Sequence, residues 1–281
     1  MSRVKPALTS WLGGLALLAL SVAAPLAGAE EACNKPVYLT FDTGTMSVAP
    51  LVAQVLDRQH VRVTFFAAAE RTIEGGDSLD NHWRDWWRAR ADAGDEFASH
   101  TYDHVYWRGD EKSVEPRFRV RPSAGALADR EFTWTAAQYC ANIAQSEQRL
   151  LDLTGKKPLP LFRAPGGKIS NKLLAAARKC GYAHVGWSAA GFLGDELPSD
   201  KYPNDKLLAQ ALRDIRPGDI LLAHLGIRSR QDPWAPAVLE PLITGLKERG
   251  FCFRTMREHP DYQGWFAARA DAAAAPGATA R

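Results

Sequence analysis

VYLTFDTGTMSVAPLVAQVLDRQHVRVTFF, residues 37–66, contains two short β-branched and aromatic runs separated by one helical pattern. Val37 to Phe41 reads as a strand, Val48 to Gln59 as a helix and Val61 to Phe66 as a second strand, which together make one βα unit of a parallel sheet. The rhythm continues along the chain. Further strands are predicted at Glu96 to Ser99, Pro160 to Phe162, Tyr182 to Gly186, Asp219 to His224 and Phe251 to Thr255. Helical stretches lie between them, among them Ala136 to Leu153 and Lys172 to Cys180, and Gly155 and Gly181 are placed to close these two. Seven strands exceed what two small domains would each need, so the expected fold is α/β, one distorted (β/α) barrel of about seven parallel strands.

The barrel is expected over residues 30–266 of the 281-residue chain. Ahead of it, Arg3 and Lys5 precede an apolar stretch from Trp11 to about Ala24 and the small residues Ala27-Gly28-Ala29, the layout of a signal peptide over residues 1–29 cleaved after Ala29. An uncleaved anchor is the alternative, and no transmembrane span is expected once cleavage has occurred. Export makes disulfides the expectation for the four cysteines. Of the three pairings, Cys33 with Cys252 and Cys140 with Cys180 is preferred because the first pair flanks the first and last strands; four unpaired buried thiols are the alternative. Setting aside Arg3 and Lys5 leaves 33 basic against 32 acidic residues, so no basic footprint for nucleic acid is present.

Two segments break the rhythm. Val105 to Phe132, within a long loop expected over 105–132, carries Arg108, Arg117, Arg119, Arg121 and Arg130 without a clear period. It reads either as a lid or as a solvated loop whose arginines pair with Asp110, Glu111 and Glu115. Residues 267–281 are Ala-rich and are expected to form a disordered tail. Trp83, Trp86 and Trp87 have helical spacing and read first as a buried helix face, with a carbohydrate platform as the rival.

Polar residues suited to hydrolysis follow one strand after another: Asp42 the first, His100 and His104 the third, Arg163 the fourth, Trp187 the fifth and His224 the sixth. Strand ends of a βα barrel converge on one face, where active sites are built. His100 and His104, four residues apart, would share one side of a helical turn and could grip one cation, while Asp103 between them points elsewhere.

In order, Thr40-Phe41-Asp42-Thr43-Gly44, His100 with His104, Arg163-Ala164-Pro165-Gly166-Gly167, the Trp187 segment and Leu222-Ala223-His224 resemble the five motifs of the polysaccharide deacetylase family, the NodB homology domain of carbohydrate esterase family 4. The resemblance spans roughly residues 37 to 256. It implies a seven-stranded distorted barrel, a divalent metal, commonly zinc, and an N-acetylated glycan substrate. Carried over by position, it implies that Asp42 is the general base, that His100 and His104 hold the metal, and that Arg163 orients Asp42. The Gly166 N–H would stabilise the oxyanion, and His224 would be the general acid. Trp187, Leu222 and Pro165 would wall the acetyl pocket, with ordinary core packing as the alternative for Trp187 and Leu222. Read from the residues themselves, Tyr102, Tyr106 and Trp107 just beyond the histidines offer faces on which sugar rings could stack, again with core packing as the rival.

Two positions depart from the family pattern. Thr43 stands where most members have the aspartate that completes the metal site, so either metal binding weakens or Asp42 or water fills the gap. A Thr43→Asp change is expected to tighten metal binding provided nothing else occupies that position. After Trp187, the run Ser188-Ala189-Ala190-Gly191 lacks the aspartate that usually braces the second histidine, for which Asp195 is a possible substitute. The expected activity is metal-assisted removal of N-acetyl groups from a cell-envelope or extracellular polysaccharide by a periplasmic or extracellular enzyme. The alternatives are a metal-deficient, inactive glycan-binding protein and a hydrolase of another small C–N amide.

Overall fold

Alternation within the first strand sorts the whole interior into layers. In the computed structural model, which describes residues 1–2 and 33–274, β1 (Pro36–Asp42) turns Val37, Leu39 and Phe41 outward to the helices and Tyr38 inward. The chain continues through α1 (Ala49–Arg58), β2 (Thr64–Ala67), α2 (Arg84–Asp92) and β3 (Glu96–Ser99). Three antiparallel strands follow, β4 (Val105–Asp110), β5 (Arg117–Pro122) and β6 (Phe132–Thr135), and then α3 (Ala136–Thr154), β7 (Leu161–Phe162), α4 (Asn171–Lys179) and β8 (Ala183–His184). The last elements are α5 (Asn204–Asp214), β9 (Ile220–His224), α6 (Glu240–Glu248), β10 (Cys252–Phe253) and α7 (Pro260–Ala274). Beyond Met1 and Ser2, the expected signal peptide lies outside the described residues.

Seven parallel strands run in the order β10-β1-β2-β3-β7-β8, with β9 also paired to β1. The seven expected strands are therefore all present, with ends shifted by a few residues. The barrel is distorted because β8 and β9 do not pair directly. The segment after Trp187 bridges them instead: the Ser188 N–H donates to Ile220 O at 3.0 Å and the Leu193 N–H to Leu222 O at 3.3 Å. Between sheet and helices lies the larger apolar layer, including Phe65, Phe97, Val52 and Leu246, while Phe66, Leu161 and Val185 fill the barrel. Trp83 and Trp87 are buried in the outer layer and Trp86 packs against it, so this helix face is core and not a sugar platform.

Local chemistry explains the helix limits. Pro50 fits the first turn of α1, where its missing N–H costs nothing. Thr135 and Gln138 form a reciprocal capping box on α3, and Gly155 ends that helix in the left-handed conformation.

Two expectations are corrected. Residues 105–132 do not form an irregular loop. β4, β5 and β6 make a small antiparallel sheet whose alternate residues Phe118 and Val120 are fully buried, while the intervening Arg119 pairs with Glu111. The period of two was present over Arg117–Pro122, masked by three arginines on the solvent face. Nor does an unstructured tail begin at Ala267. Tyr262, Trp265 and Phe266 anchor α7 against the barrel interior, and the alanines that follow favour continuing the helix to Ala274; residues 275–281 lie outside the described residues.

The disulfides join Cys33 to Cys252 and Cys140 to Cys180. The first ties the segment before β1 to its neighbour β10, and the second pins α3 to the end of α4. Opening the second by a Cys140→Ser/Cys180→Ser replacement frees a closed loop with a sequence separation of 40. The variant is expected to lose about 2–4 kcal/mol of unfolding free energy, read from urea denaturation.

Candidate active site

Parallel strands deliver their C-terminal ends to one rim, and Asp42 is the side chain on which that rim converges. It ends β1 directly beside His224, the last residue of β9 and its partner in register. Arg163, fully buried after β7, donates from Nη1 to Asp42 Oδ1 at 2.7 Å. Its other nitrogens reach Val185 O and Gly186 O at 3.3 and 3.2 Å, and its guanidinium lies 4.1 Å from the Phe66 ring centre. The guanidinium is thereby held rigid and Asp42 with it. Burial alone would raise the Asp42 pKa, but Arg163, His100 and His224 outweigh it and hold the carboxyl below its ordinary range.

The two histidines meet, though not on a helix. Their ring centres are 4.8 Å apart across a turn in which Thr101 and His104 both adopt left-handed φ, 59° and 47°. Such a conformation is costly for a β-branched residue and persists only where surrounding contacts impose it. Those contacts come from α3: Asn142 accepts from the Tyr102 and Asp103 N–H groups and donates to Asp103 Oδ2 at 2.6 Å. Asp103 thus points away from the site.

Hydrogen bonding fixes how the imidazoles face. His100 Nδ1 lies 2.9 Å from Arg163 O, a pure acceptor, so Nδ1 carries the proton. His104 Nδ1 lies 2.5 Å from Ser123 Oγ, which is also 3.3 Å from His104 O. With both Nδ1 atoms so engaged, both Nε2 atoms face inward, His100 Nε2 to 3.3 Å from Asp42 Oδ2 and His104 Nε2 to 3.9 Å from Glu70 Oε1. Burial, with His104 nearby, pushes the His100 pKa down to about 4 despite Asp42, so this ring is neutral at ordinary pH.

Glu70 is the side chain that sequence reasoning missed. It follows β2 after Ala68 and Ala69, and its Oε2 accepts from Thr43 Oγ and from the Gly44 N–H, each at 2.6 Å. Thr43 Oγ in turn accepts from the Ala68 N–H at 3.1 Å, so its hydroxyl is committed to holding Glu70. Gly44 is required here. Its φ is 81°, and a Cβ would sit 2.3 Å from Gly226 O. Glu70 lies beyond the end of β2, and the signal that could have revealed it is the carboxylate missing at position 43, which another element reaching the same rim must supply.

On the other side of Asp42, Asp195 braces His224. Asp195 Oδ2 accepts from the His224 N–H at 2.6 Å, and both carboxylate oxygens lie 3.1 Å from Nδ1. Burial opposes charge on this imidazole, but Asp195, then Asp42 and Glu196, raise its pKa to about 10. Gly166 occupies a tight turn with φ 60°, where a Cβ would meet the Tyr106 ring at 2.8 Å. Trp187 lies over Gly167 and 5.8 Å from the Arg163 guanidinium, Pro165 is buried, and Leu222 is on the same side of β9 as His224. A groove of about 1390 Å³ opens beside Glu70 and Tyr102.

The family model for polysaccharide deacetylase matches residues 29–185, more than half of the chain. The chain belongs to the polysaccharide deacetylase family. With the family comes its reaction class, hydrolysis of carbon–nitrogen bonds other than peptide bonds. Among curated relatives, the peptidoglycan-N-acetylmuramic acid deacetylase PdaA of Bacillus subtilis is 25% identical over 227 residues, 79% of this chain and 70% of the relative. A chitooligosaccharide deacetylase of Azorhizobium caulinodans is 26% identical over 235 residues, covering 78% and 92%. A family 4 acetyl xylan esterase from Clostridium thermocellum, solved in complex with a cobalt ion, superposes with a TM-score of 0.60 at 22% identity, over 82% of this chain and 92% of the esterase. That likeness shows the fold of this deacetylase family member.

The donor set suits a divalent cation. The Nε2 atoms of two imidazoles face the oxygens of two carboxylates, a set of nitrogen and oxygen donors of the kind that holds zinc. Among the described residues no group of three or more His, Cys, Asp or Glu side chains is close enough together to hold a metal ion as it stands. Two ligands of one tetrahedral zinc lie about 3.3 Å apart. For His104 and Glu70 to share one such ion, the 3.9 Å between them would have to contract by roughly half an ångström.

Proposed function

We propose that this protein removes acetyl groups from the N-acetylated sugars of a cell-envelope or extracellular polysaccharide. One observation carries the reading: Asp42 and His224 are register neighbours whose surroundings drive their proton affinities apart, the carboxyl down and the imidazole up to about 10. A base kept ionised next to an acid kept protonated is the pairing that amide hydrolysis needs.

Asp42 Oδ2, the oxygen not bonded to Arg163, takes a proton from the attacking water as its oxygen bonds to the acetyl carbon. Arg163 keeps the carboxylate aimed and ionised. His100 and His104 are the residues to hold a divalent ion, zinc in our reading, and when bound it supplies polarisation of the acetamide carbonyl and acidification of water. The Gly166 N–H donates to the developing oxyanion. His224 then gives its proton to the sugar nitrogen as the C–N bond breaks, releasing acetate and a free amine. Trp187, Leu222 and Pro165 wall the site for the acetyl methyl, and Tyr102 lines the groove along which a glycan would lie.

Thr43 and Ala190 are the two features that favour a metal-deficient binding protein. Glu70 beside Thr43 and Asp195 beside His224 provide carboxylates at both places, which supports the enzyme. Two disulfides fit an oxidising compartment and so suit an exported protein. The test is acetate release across peptidoglycan, chitin oligomers and N-acetylated exopolysaccharide, with zinc and after chelation. Metal-dependent release from one of them is expected. Glycan binding without turnover at any zinc concentration would replace the proposal with the binding reading.

A further inference from the structure

We infer that Glu70 is the third protein ligand of the metal site, supplied from the segment after β2 in place of the aspartate missing at position 43, and that Thr43 is its positioning residue. The inference rests on the proposed metal site and deepens it. Both oxygens of Glu70 have distinct tasks. Oε2 is tethered by the Thr43 hydroxyl and the Gly44 N–H, which leaves Oε1 as the oxygen turned to His104 Nε2. Thr43 cannot itself rotate to serve as a ligand without giving up both its acceptance from Ala68 and its donation to Glu70.

Charge separates Glu70 from its rival Asp42. Asp42 already has a full countercharge in Arg163 at 2.7 Å, whereas the hydrogen-bond donors to Glu70 are a neutral hydroxyl and a neutral amide. With imidazoles as the other two ligands, Glu70 supplies the negative charge a divalent ion lacks at this site. Two imidazoles and one carboxylate are also a donor set that suits zinc, with a fourth position left for substrate or water. A solvent-open groove runs beside Glu70 itself. The expectation for Thr43→Asp changes accordingly: the ligand position is already served, so the single substitution crowds a second carboxylate against Glu70 and does not tighten binding.

The experiment is zinc titration of the metal-stripped, disulfide-intact protein, with bound zinc checked by elemental analysis and folding by circular dichroism. Glu70→Gln, which keeps the shape and the acceptor for Thr43 and Gly44, is expected to weaken zinc binding by more than about 100-fold, and Thr43→Val by about 10-fold. Asp42→Asn is expected to bind within a few-fold of wild type. Moving the carboxylate, in Thr43→Asp/Glu70→Ala, is expected to recover much of the affinity that Glu70→Ala loses, an outcome that a folding defect cannot mimic. Glu70→Gln with wild-type affinity, or no recovery in the relocated variant, overturns the assignment. Acetate release by the wild-type protein is read separately, so the loss of Glu70 as a ligand is distinguishable from the loss of the deacetylase reading.

Discussion

Asp42→Asn is expected to lower the rate of acetate release by about 1000-fold while leaving zinc in place. The amide keeps the shape of the carboxylate but cannot accept a proton from water at any useful pH. The same change also weakens the fold, because Arg163 is fully buried and Asp42 is its charged partner. Leaving that guanidinium without a countercharge costs about 3–5 kcal/mol, softened by its bonds to Val185 O and Gly186 O. The sign of the pH dependence follows from the depressed carboxyl pKa. The pair stabilises wild type above the ordinary carboxylate range and loses its contribution as pH falls through the lowered folded value, so the stability gap between variant and wild type narrows in acid. Urea denaturation at several pH values, with zinc content and turnover on the same samples, checks all three expectations. Turnover within about tenfold of wild type would take the role of base away from Asp42.

The barrel was legible because its strands are short hydrophobic runs with the chemistry placed at their ends, and parallel strands have no choice but to present those ends together. Asp42, His100, Arg163 and His224 could be grouped on that ground before any coordinates. Helical spacing brought His100 and His104 together for the wrong local reason, since a turn pinned by Asn142 replaces the helix. Phe118 and Val120 betray β5 in hindsight, but arginine at every second position hid the alternation behind composition. Glu70 was hidden differently. Nothing in the run Ala67-Ala68-Ala69-Glu70 marks the glutamate as a partner of Thr43, a contact 27 residues apart. Departure from a family motif was the available clue, and its physical content is that a charge missing from the constellation must come from another element converging on the same rim. Asp195 answers the same question for His224, and it was reachable because it is the first acidic residue after the irregular segment.

Asp195→Asn is expected to shift the alkaline limit of turnover, which tests the acid as directly as Asp42→Asn tests the base. His224 must carry a proton to release the amine, so with a pKa near 10 it remains charged through neutral pH, and turnover should fall only as pH rises through about that value. The uncharged amide removes the largest favourable influence on the imidazolium, leaving burial to oppose it, and the limit should move down by about 1–3 pH units. Stability changes in the same direction. A His224 pKa raised above its ordinary 6.5 contributes stability that is fully present below that value and is lost as pH rises through about 10. The thermal midpoint of wild type should therefore decline over this window more than that of the variant. Orientation alone predicts something else: the asparagine oxygen can still accept from Nδ1, so a brace without electrostatic effect would change the rate by a similar, small factor at every pH and leave the limit in place. The displacement of the limit, and not the size of the rate loss, is what separates a histidine charged by Asp195 from one merely aimed by it.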